Sequence, residues 1–487
     1  MKRTHTAPLI SALAAILLTV VACGGETGPG YSTGDTVTAG KVTTTAVTEE
    51  TGPTLSLPEA DFDGHTVTYL TVTGYNNNFR LNVDSDGDTL NDTAAERNHL
   101  VSELLNVTFE TVEVDSPATT LKTSVMAGDN EYDFVLPHAT VGVAAMVTDK
   151  LLYDWNEIAH VDFSQPWWNS SMTESLGIGG KLFYASGDIV MTWQGMQAVL
   201  FNKTYLTGMD LSKDLYETVF DGEWTMDYMT EIIKGIAQDL NGDGKMTEVD
   251  QYGLLDNSGS AYQYMYCCDQ RVTVPDEDGW PVLTLNTERM AEIVSKYYDR
   301  IYSGETYLDG YSNASYPEST YRSMLTEGRS FLTTLDIGGL YSYLREIEFD
   351  FGILPLPKFD ETQENYRVFC GAGLIGVPSN ADDPARTGMI AEALAYYSYK
   401  EIRPAFFDIV LENKAVRDEN SYRVIQMLHE NKVFDFGFNF DETGSGYNII
   451  GIVTIDKKST DFASEYAKKE KSIEKAFEKI TNAVKET

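Results

Sequence analysis

The sequence predicts an α/β protein built on doubly wound parallel sheets, and two observations support this class. Strand-like and helix-like segments alternate from residue 57 onward. The first strand-like segment, residues 65–72, carries apolar or β-branched side chains on both faces. A strand of this kind belongs in a sheet that is covered on both sides, as parallel sheets are.

The first half of the chain shows a β-α-β-α-β order, in which strands pair in parallel. A capping box, Thr93-x-x-Glu96, predicts a helix start. The predicted elements are strands over 65–72, 107–114 and 132–136, a helix from 93 through Leu105, and a helix over 119–126 that ends at Gly128.

Further elements follow in the same alternating style, without an internal repeat. The final helix is amphipathic and rich in Lys and Glu, so partner binding and a solvated terminal helix are both open interpretations. The predicted elements are strands over 199–203, 331–335 and 349–354 and helices over 225–240, 384–398, 403–411 and 464–485.

The N-terminal segment predicts export. Lys2 and Arg3 precede an apolar stretch over residues 9–21, and Cys23 directly follows the small residue Ala22. This arrangement resembles a bacterial lipobox, which implies that Cys23 becomes lipidated and anchors the chain to the outer face of the cell membrane. An ordinary secretory signal is the alternative, and a mature membrane-spanning helix is a weaker one because the stretch is short.

Composition excludes some partners. The formal net charge of −38 repels phosphate backbones, so nucleic-acid binding is not expected, and neither is a polybasic membrane contact. Apart from Cys23 the chain has three cysteines, Cys267, Cys268 and Cys370, which are too few for a disulfide scaffold. We expect free thiols, with a bridge from Cys370 to one of the other two as the alternative.

A calcium loop is the sharpest chemical motif. Oxygen ligands fall at positions 1, 3, 5, 7, 9 and 12 of a twelve-residue EF-hand-like loop, with Gly244 at position 6 for the tight turn. Residues 251–255 predict a strand after the loop rather than a helix, so we expect a structural Ca²⁺ site and not a sensor. A plain acidic turn is the alternative. The predicted ligands are Asp239, Asn241, Asp243, Lys245 through its carbonyl, Thr247 and Asp250.

A series of short motifs along residues 57–439 resembles the family 1 extracellular solute-binding proteins of bacterial ABC importers, the carbohydrate-type group. The motifs are Leu90-Asn91-Asp92, Pro166-Trp167-Trp168-Asn169, Gly180 to Asp188, Leu200-Phe201-Asn202-Lys203, Gly222-Glu223-Trp224-Thr225, Asp250-Gln251-Tyr252-Gly253, Phe351 to Lys358 and Arg417 to Ser421.

This resemblance implies a two-lobed periplasmic-binding-protein-like fold of type II, with a doubly wound sheet in each lobe and a hinge between the lobes. It also implies a monomeric binding protein that captures a carbohydrate, performs no chemistry and delivers it to ABC importer permease subunits. The expected organisation is a signal peptide over 1–22, an anchor and spacer over 23–55, lobe 1 over 56–198 with a returning segment near 336–400, lobe 2 over 199–335 with later helices near 400–450, and the C-terminal helix over 460–487.

Candidate ligand residues follow from position and chemistry. Tyr75 and His138 come directly after strand ends, where α/β sheets bind ligands. Sugars are held by aromatic faces and by polar groups that bind their hydroxyls. On this basis the candidates are Tyr75, Trp193 and Trp280 as platforms and His138, Asp188 and Asp336 as polar partners. Core packing, loop hydrogen bonding and helix capping are the competing roles of the same residues.

Two other functions remain open from the sequence. A surface-anchored glycoside hydrolase would need two carboxylates across a sugar-sized gap, and the many acidic residues do not mark such a pair. A calcium-dependent carbohydrate-binding adhesion module would be expected to show strand-rich repeats, and no repeat is visible.

Overall fold

The computed structural model describes residues 52–310, 320–343, 346–371, 373–412 and 419–486. These residues form two larger sheets, two two-stranded sheets and the helices that cover them. The prediction of a lipidated Cys23 falls outside these residues. The strands are β1 (His65–Val72), β2 (Val107–Val114), β3 (Phe134–Leu136), β4 (Gln197–Asn202), β5 (Tyr252–Asn257), β6 (Thr273–Pro275), β7 (Pro281–Leu283), β8 (Thr306–Asp309), β9 (Ser330–Asp336), β10 (Phe351–Pro355), β11 (Val368–Phe369) and β12 (Lys432–Val433).

Helices alternate with these strands. They are α1 (Tyr75–Phe79), α2 (Thr89–Leu105), α3 (Pro117–Ala127), α4 (Val143–Thr148), α5 (Ser170–Leu176), α6 (Leu215–Phe220), α7 (Met226–Ile232), α8 (Gln263–Cys267), α9 (Glu288–Ile301), α10 (Thr320–Thr326), α11 (Ile337–Tyr343), α12 (Pro384–Tyr397), α13 (Arg403–Glu412), α14 (Glu419–Glu430), α15 (Phe436–Asn439), α16 (Ile449–Gly451) and α17 (Phe462–Lys485). In the described part of the chain, no helix has both the length and the apolar character needed to span a bilayer.

The first sheet is parallel and has the order β2-β1-β3. Its register aligns His65 with Val107 and Tyr69 with Phe134. Residues 375–378 return to this sheet much later in the chain, since backbone bridges join Val135 to Gly376 and Ala185 to Ile375. The predicted parallel arrangement is therefore confirmed, and the sheet is completed by a distant segment.

The second sheet has five strands in the order β10-β4-β9-β5-β8. Strands β5, β8 and β9 run parallel to one another, whereas β4 is antiparallel to both β9 and β10. The strand predicted after the acidic loop is present as β5. The chain passes from the first sheet to the second through residues 187–196, which form two short 3-10 turns.

The predicted capping box is wrong. Helix α2 begins at Thr89, because the side chain of Asp88 accepts hydrogen bonds from the backbone N–H groups of Leu90 and Asn91 at 3.1 and 3.2 Å. Thr93 lies one turn inside the helix, where its hydroxyl donates to the carbonyl of Thr89 at 2.6 Å. The true start is therefore an Asp N-cap.

The helix predicted over 225–240 is much shorter in the structure. Thr225 is the N-cap of α7, which begins at Met226 and ends at Ile232. Gly235 adopts a φ of 76°, and the carboxylate of Glu305 accepts hydrogen bonds from the N–H groups of Gly235, Ile236 and Ala237 at 2.7–3.1 Å. A distant carboxylate thus stabilises a loop where the apolar spacing predicted helix.

The C-terminal helix α17 packs against other helices of the same chain. It lies against both α4 and α9, which flank different sheets. Its apolar face is buried, whereas its Lys and Glu side chains are largely exposed. The buried residues are Phe462, Tyr466, Ile473, Phe477, Ile480 and Val484.

The three cysteines of the folded region are free and buried, as the sequence predicted. Cys267 and Cys268 have their sulfur atoms 4.0 Å apart, and burial raises the pKa of the Cys370 thiol to about 12. Burial also raises the pKa of Cys267, so the thiols of Cys267 and Cys370 are protonated at neutral pH.

Candidate functional site

The carboxyl ends of the parallel strands in both sheets converge on the segment that links the sheets. Gln194, in this segment, donates through Nε2 to the carbonyl of Asn78 in α1, which follows β1, at 3.3 Å. On its other side, a Cβ placed on Gly338, just after β9, would lie 3.1 Å from the Cβ of Gln194. Ligands of α/β proteins bind at such strand ends. We call the region between the two sets of strand ends the strand-end cleft.

On the first-sheet side, the structure brings Tyr75 and His138 together. Their ring centroids lie 6.4 Å apart, and Phe79 packs edge-on against Tyr75 at 5.0 Å. The Nδ1 atom of His138 faces the backbone N–H of Thr140 at 3.3 Å, and desolvation lowers the pKa of the ring. His138 is therefore neutral at pH 7 and carries its proton on Nε2, where it can donate to a ligand oxygen.

Asp336 occupies the second-sheet side, at the end of β9. One carboxylate oxygen accepts the N–H of Gly339 at 2.5 Å, and the side chain is otherwise exposed. Desolvation by the surrounding protein raises its pKa. Its strand partner Gln197 donates to the hydroxyl of Ser260 at 3.0 Å.

An aromatic cluster next to these residues was missed from the sequence. The partly exposed ring of Tyr262 contacts Phe438 and Tyr447 at centroid distances of 5.1 and 6.1 Å. Asn439 places this cluster beside the His138 loop, since its amide donates to the carbonyl of Ala139 at 2.7 Å. Tyr262 follows the end of β5, so the argument that identified Tyr75 applies to it equally. Tyr447 gave no signal in the sequence.

Asp188 and Trp193 meet at a separate cavity of about 160 Å³. We call it the Lys432 cavity. Trp193 is only 1% exposed and packs against Phe406 with the ring centroids 4.1 Å apart and the rings tilted by 41°, which leaves little of its face for a sugar. Asp188 is buried and pairs with Arg403 at 3.2 Å, and burial raises its pKa to about 6. The residues of this cavity used below are Trp168, Asn169, Asp188, Trp193, His429 and Lys432.

Trp280 lies apart from both groups. It sits at the turn of the β6–β7 hairpin, where its ring fills the space beside Gly179 and lies 4.5 Å from the ammonium of Lys485. This position is not at a strand end of either large sheet. The assignment of Trp280 to a ligand stays a prediction that its location does not favour.

The predicted calcium loop is folded by its own side chains. Asp239 accepts the N–H groups of Gly242 and Gly244 at 2.6 and 2.8 Å, and Asn241 accepts that of Asp243 at 2.9 Å. Asp250 accepts the N–H groups of Leu240 and Thr247 at 2.9 and 2.8 Å, and its pKa is lowered mainly by the hydrogen bond from Thr247.

These bonds curl the loop, and its oxygen donors are of the kind that a hard cation prefers. However, no group of three or more Asp, Glu, His or Cys side chains within the described ranges is already gathered closely enough to hold a metal. The donor set fits Ca²⁺ in kind, and Ca²⁺ binding by this loop stays a prediction.

Sequence comparison and structure comparison differ in outcome. No protein-family model matches the chain, and the search of curated proteins gives no match. Solved structures do match. The galacto-N-biose-/lacto-N-biose I-binding protein of the ABC transporter from Bifidobacterium longum, in complex with lacto-N-biose, has a TM-score of 0.58 and 14% identity, covering 86% of this chain and 98% of that chain.

Two further structures agree with it. The ABC substrate-binding protein Lmo0181 from Listeria monocytogenes, in complex with cycloalternan, has a TM-score of 0.53 and 12% identity, covering 87% of this chain and 99% of that chain. The maltose/maltodextrin-binding domain MalE from Bdellovibrio bacteriovorus, bound to maltotriose, has a TM-score of 0.50 and 13% identity, covering 86% and 99%. The chain therefore has the two-lobed, periplasmic-binding-protein-like α/β fold that the sequence predicted.

Proposed function

We propose that this protein is a carbohydrate-type solute-binding protein of an ABC importer that captures an oligosaccharide in the strand-end cleft. The observation that carries the proposal is the chemistry gathered there. Aromatic rings of Tyr75 and Tyr262 and polar groups of His138 and Asp336 lie at strand ends that meet at one linking segment. The fold supports it, because three structures with this fold were solved as complexes with oligosaccharides.

The proposed mechanism is capture by closure and involves no bond cleavage. The ligand binds the closed arrangement of the lobes better than the open one, so it shifts the population toward closure. Residues 187–196 form one hinge segment, since they connect the two sheets. The closed protein then presents the sugar to the permease subunits of the importer.

A thermal-shift screen against oligosaccharides tests the proposal. At least one oligosaccharide is expected to raise the melting temperature, and its recovery unchanged after hours of incubation distinguishes binding from hydrolysis. Release of reducing ends would contradict the binding-only mechanism. If no member of a broad panel stabilises the protein, carbohydrate capture itself is contradicted.

The half-buried ring of Tyr75 offers a direct site test. Tyr75→Ala should weaken binding of the stabilising sugar about tenfold, because a stacked aromatic ring contributes about 1 kcal/mol or more. Tyr302→Ala is the matched control, since Tyr302 is 44% exposed in a different part of the molecule. Equal affinities of the two variants would remove Tyr75 from the site.

We further propose that the mature chain is lipid-anchored through Cys23 outside the cytoplasm, where an importer would need its capture subunit. The lipobox-like segment supports this placement. Metabolic labelling with a fatty-acid probe should mark the wild-type chain and not Cys23→Ala. Labelling of both chains, or of neither, would contradict the anchor.

We also propose that the acidic loop binds Ca²⁺ as a structural ion. Its Asp position 12 and its connection to a strand point to an affinity on the order of 10⁻⁴ to 10⁻⁶ M. Isothermal titration of the chelated protein should give heat that Asp243→Asn reduces. An absence of heat, together with an unchanged melting temperature, would refute the site.

A further inference from the structure

The Lys432 cavity is large for a water site. A single buried water occupies roughly 10–15 Å³ by a comparable measure, whereas this cavity measures about 160 Å³. Its lining combines buried indoles with charged and amide groups, and it lies where the Pro166-Trp167-Trp168-Asn169 motif meets β12. The space suits a small polar molecule or several waters.

The charges around the cavity do not balance. Lys432 is only 8% exposed, and its ammonium donates to Nδ1 of His429 at 2.9 Å and to the carbonyl of His429 at 2.7 Å. Among the described residues, no carboxylate lies within ion-pair distance of Lys432. Asp188 pairs with Arg403 and acts on Lys432 only as a charge at longer range. Two cations therefore share one carboxylate.

Neighbouring groups do not remove this excess charge. Burial and the adjacent cations lower the pKa of His429 to about 2, so this side chain is neutral. Glu392 accepts the indole N–H groups of Trp167 and Trp168 at 2.9 and 2.7 Å and does not itself line the cavity. Burial of an uncompensated ammonium is costly, and it lowers the pKa of Lys432 to about 8.

An unused donor adds to the case. The indole N–H of Trp193 is buried and has no hydrogen-bond partner within the described part of the structure. A buried donor without an acceptor destabilises the folded protein. Trp193 and Lys432 line the same cavity, where a negatively charged acceptor would meet both residues.

We propose that the Lys432 cavity is a binding site for a small carboxylate anion, whose oxygens accept hydrogen bonds from Lys432 Nζ and Trp193 Nε1. The lining of this cavity includes none of the residues placed in the strand-end cleft, and the proposal does not depend on the sugar-binding proposal. Either can fail alone, because one is read out by an uncharged oligosaccharide and the other by a small anion.

Sodium acetate is the probe, and the indole N–H resonances in the NMR spectrum of the protein are the readout. The chain has six tryptophans, and the spectrum of Trp193→Phe identifies the Trp193 indole resonance. Acetate replacing chloride at constant ionic strength should shift this resonance saturably. No shift, or a linear shift equal at all six indoles, overturns the proposal. An equal shift with glucose overturns the assignment of an anion.

Two variants are expected to change the acetate affinity in opposite directions. Lys432→Met should weaken acetate binding at least about tenfold, because a charge-assisted hydrogen bond is lost. Asp188→Asn should strengthen it, because a negative charge leaves the cavity. Lys471→Met, at an exposed position of α17, is the control for loss of one positive charge and should leave the affinity unchanged.

Using both Lys432→Met and Asp188→Asn keeps the proposal testable if one variant fails to fold. If Lys432→Met does not fold, the Trp193 titration and Asp188→Asn still decide the question. Weaker binding or unchanged binding in a folded Asp188→Asn protein would contradict an anion site.

Discussion

At the scale of single residues, Lys432 illustrates how burial overrides ordinary charge behaviour. Its pKa falls from 10.5 to about 8, so between these values the unfolded chain holds a proton that the folded protein has released. The free energy of unfolding therefore rises with pH across this window. Below pH 8 both states are protonated, and the contribution is constant.

Lys432→Met removes this titration. We expect the unfolding free energy of the wild type, relative to that of the variant, to increase by about 3 kcal/mol between about pH 7 and pH 10.5. The reason is that one pKa unit corresponds to about 1.4 kcal/mol. Urea unfolding at a series of pH values measures the difference. A pH-independent difference would show that Lys432 titrates normally, and Lys471→Met should show such a flat profile.

Asp336 is the best single polar test of the proposed cleft, because it is exposed and its substitution should leave the fold intact. Asp336→Asn should weaken sugar binding about tenfold, since a charged acceptor for a hydroxyl becomes neutral. Asp299→Asn, at an exposed position of α9, is the matched control. Calorimetric affinities that agree between the two variants would place Asp336 outside the site.

At the scale of elements, local patterns located the strands and most helices but missed the start of α2 and the end of α7. Strands β1 and β2 have the predicted bounds, because β-branched and apolar runs carry the signal within the strand itself. Helix α7 was predicted too long because the carboxylate that ends it comes from Glu305, which is distant in sequence. The local sequence does not indicate a contact with a residue that is distant in the chain.

The same limit applies to the candidate site. Strand-end reasoning selected Tyr75 and His138, and it would also have selected Tyr262. Asp336 was selected for its chemistry, as a polar partner for sugar hydroxyls. Tyr447 lies beside Tyr262 because of the tertiary packing of the C-terminal region, and no strand pattern in the sequence predicts that position. Lys432 and His429 likewise meet Asp188 only because β12 returns beside β11.

Glu305 provides a test at this scale. Glu305→Ala should lower the unfolding free energy by about 2 kcal/mol, because three backbone N–H groups lose a charged acceptor. Glu277→Ala removes an equally charged side chain from an exposed turn and should have little effect. Denaturant unfolding of both variants gives the comparison. An unaffected Glu305→Ala protein would show that water replaces the carboxylate without cost.

For the whole molecule, α17 is part of the folded body, because it packs on helices that flank both sheets. Phe477 is 4% exposed and contacts Phe436 at a centroid distance of 5.8 Å. Phe477→Ala should cost about 3 kcal/mol or more through lost burial and the cavity left behind. Lys475→Ala, on the exposed face, should be nearly neutral, and equal melting temperatures would contradict this packing role.

The central claim is that two lobes close over a carbohydrate that is bound and not transformed. Small-angle X-ray scattering of the protein, with and without the sugar that stabilises it most, tests this claim most directly. We predict a smaller radius of gyration with the sugar, and reversal on its removal. A sugar that binds tightly while the radius of gyration stays unchanged would contradict capture by closure.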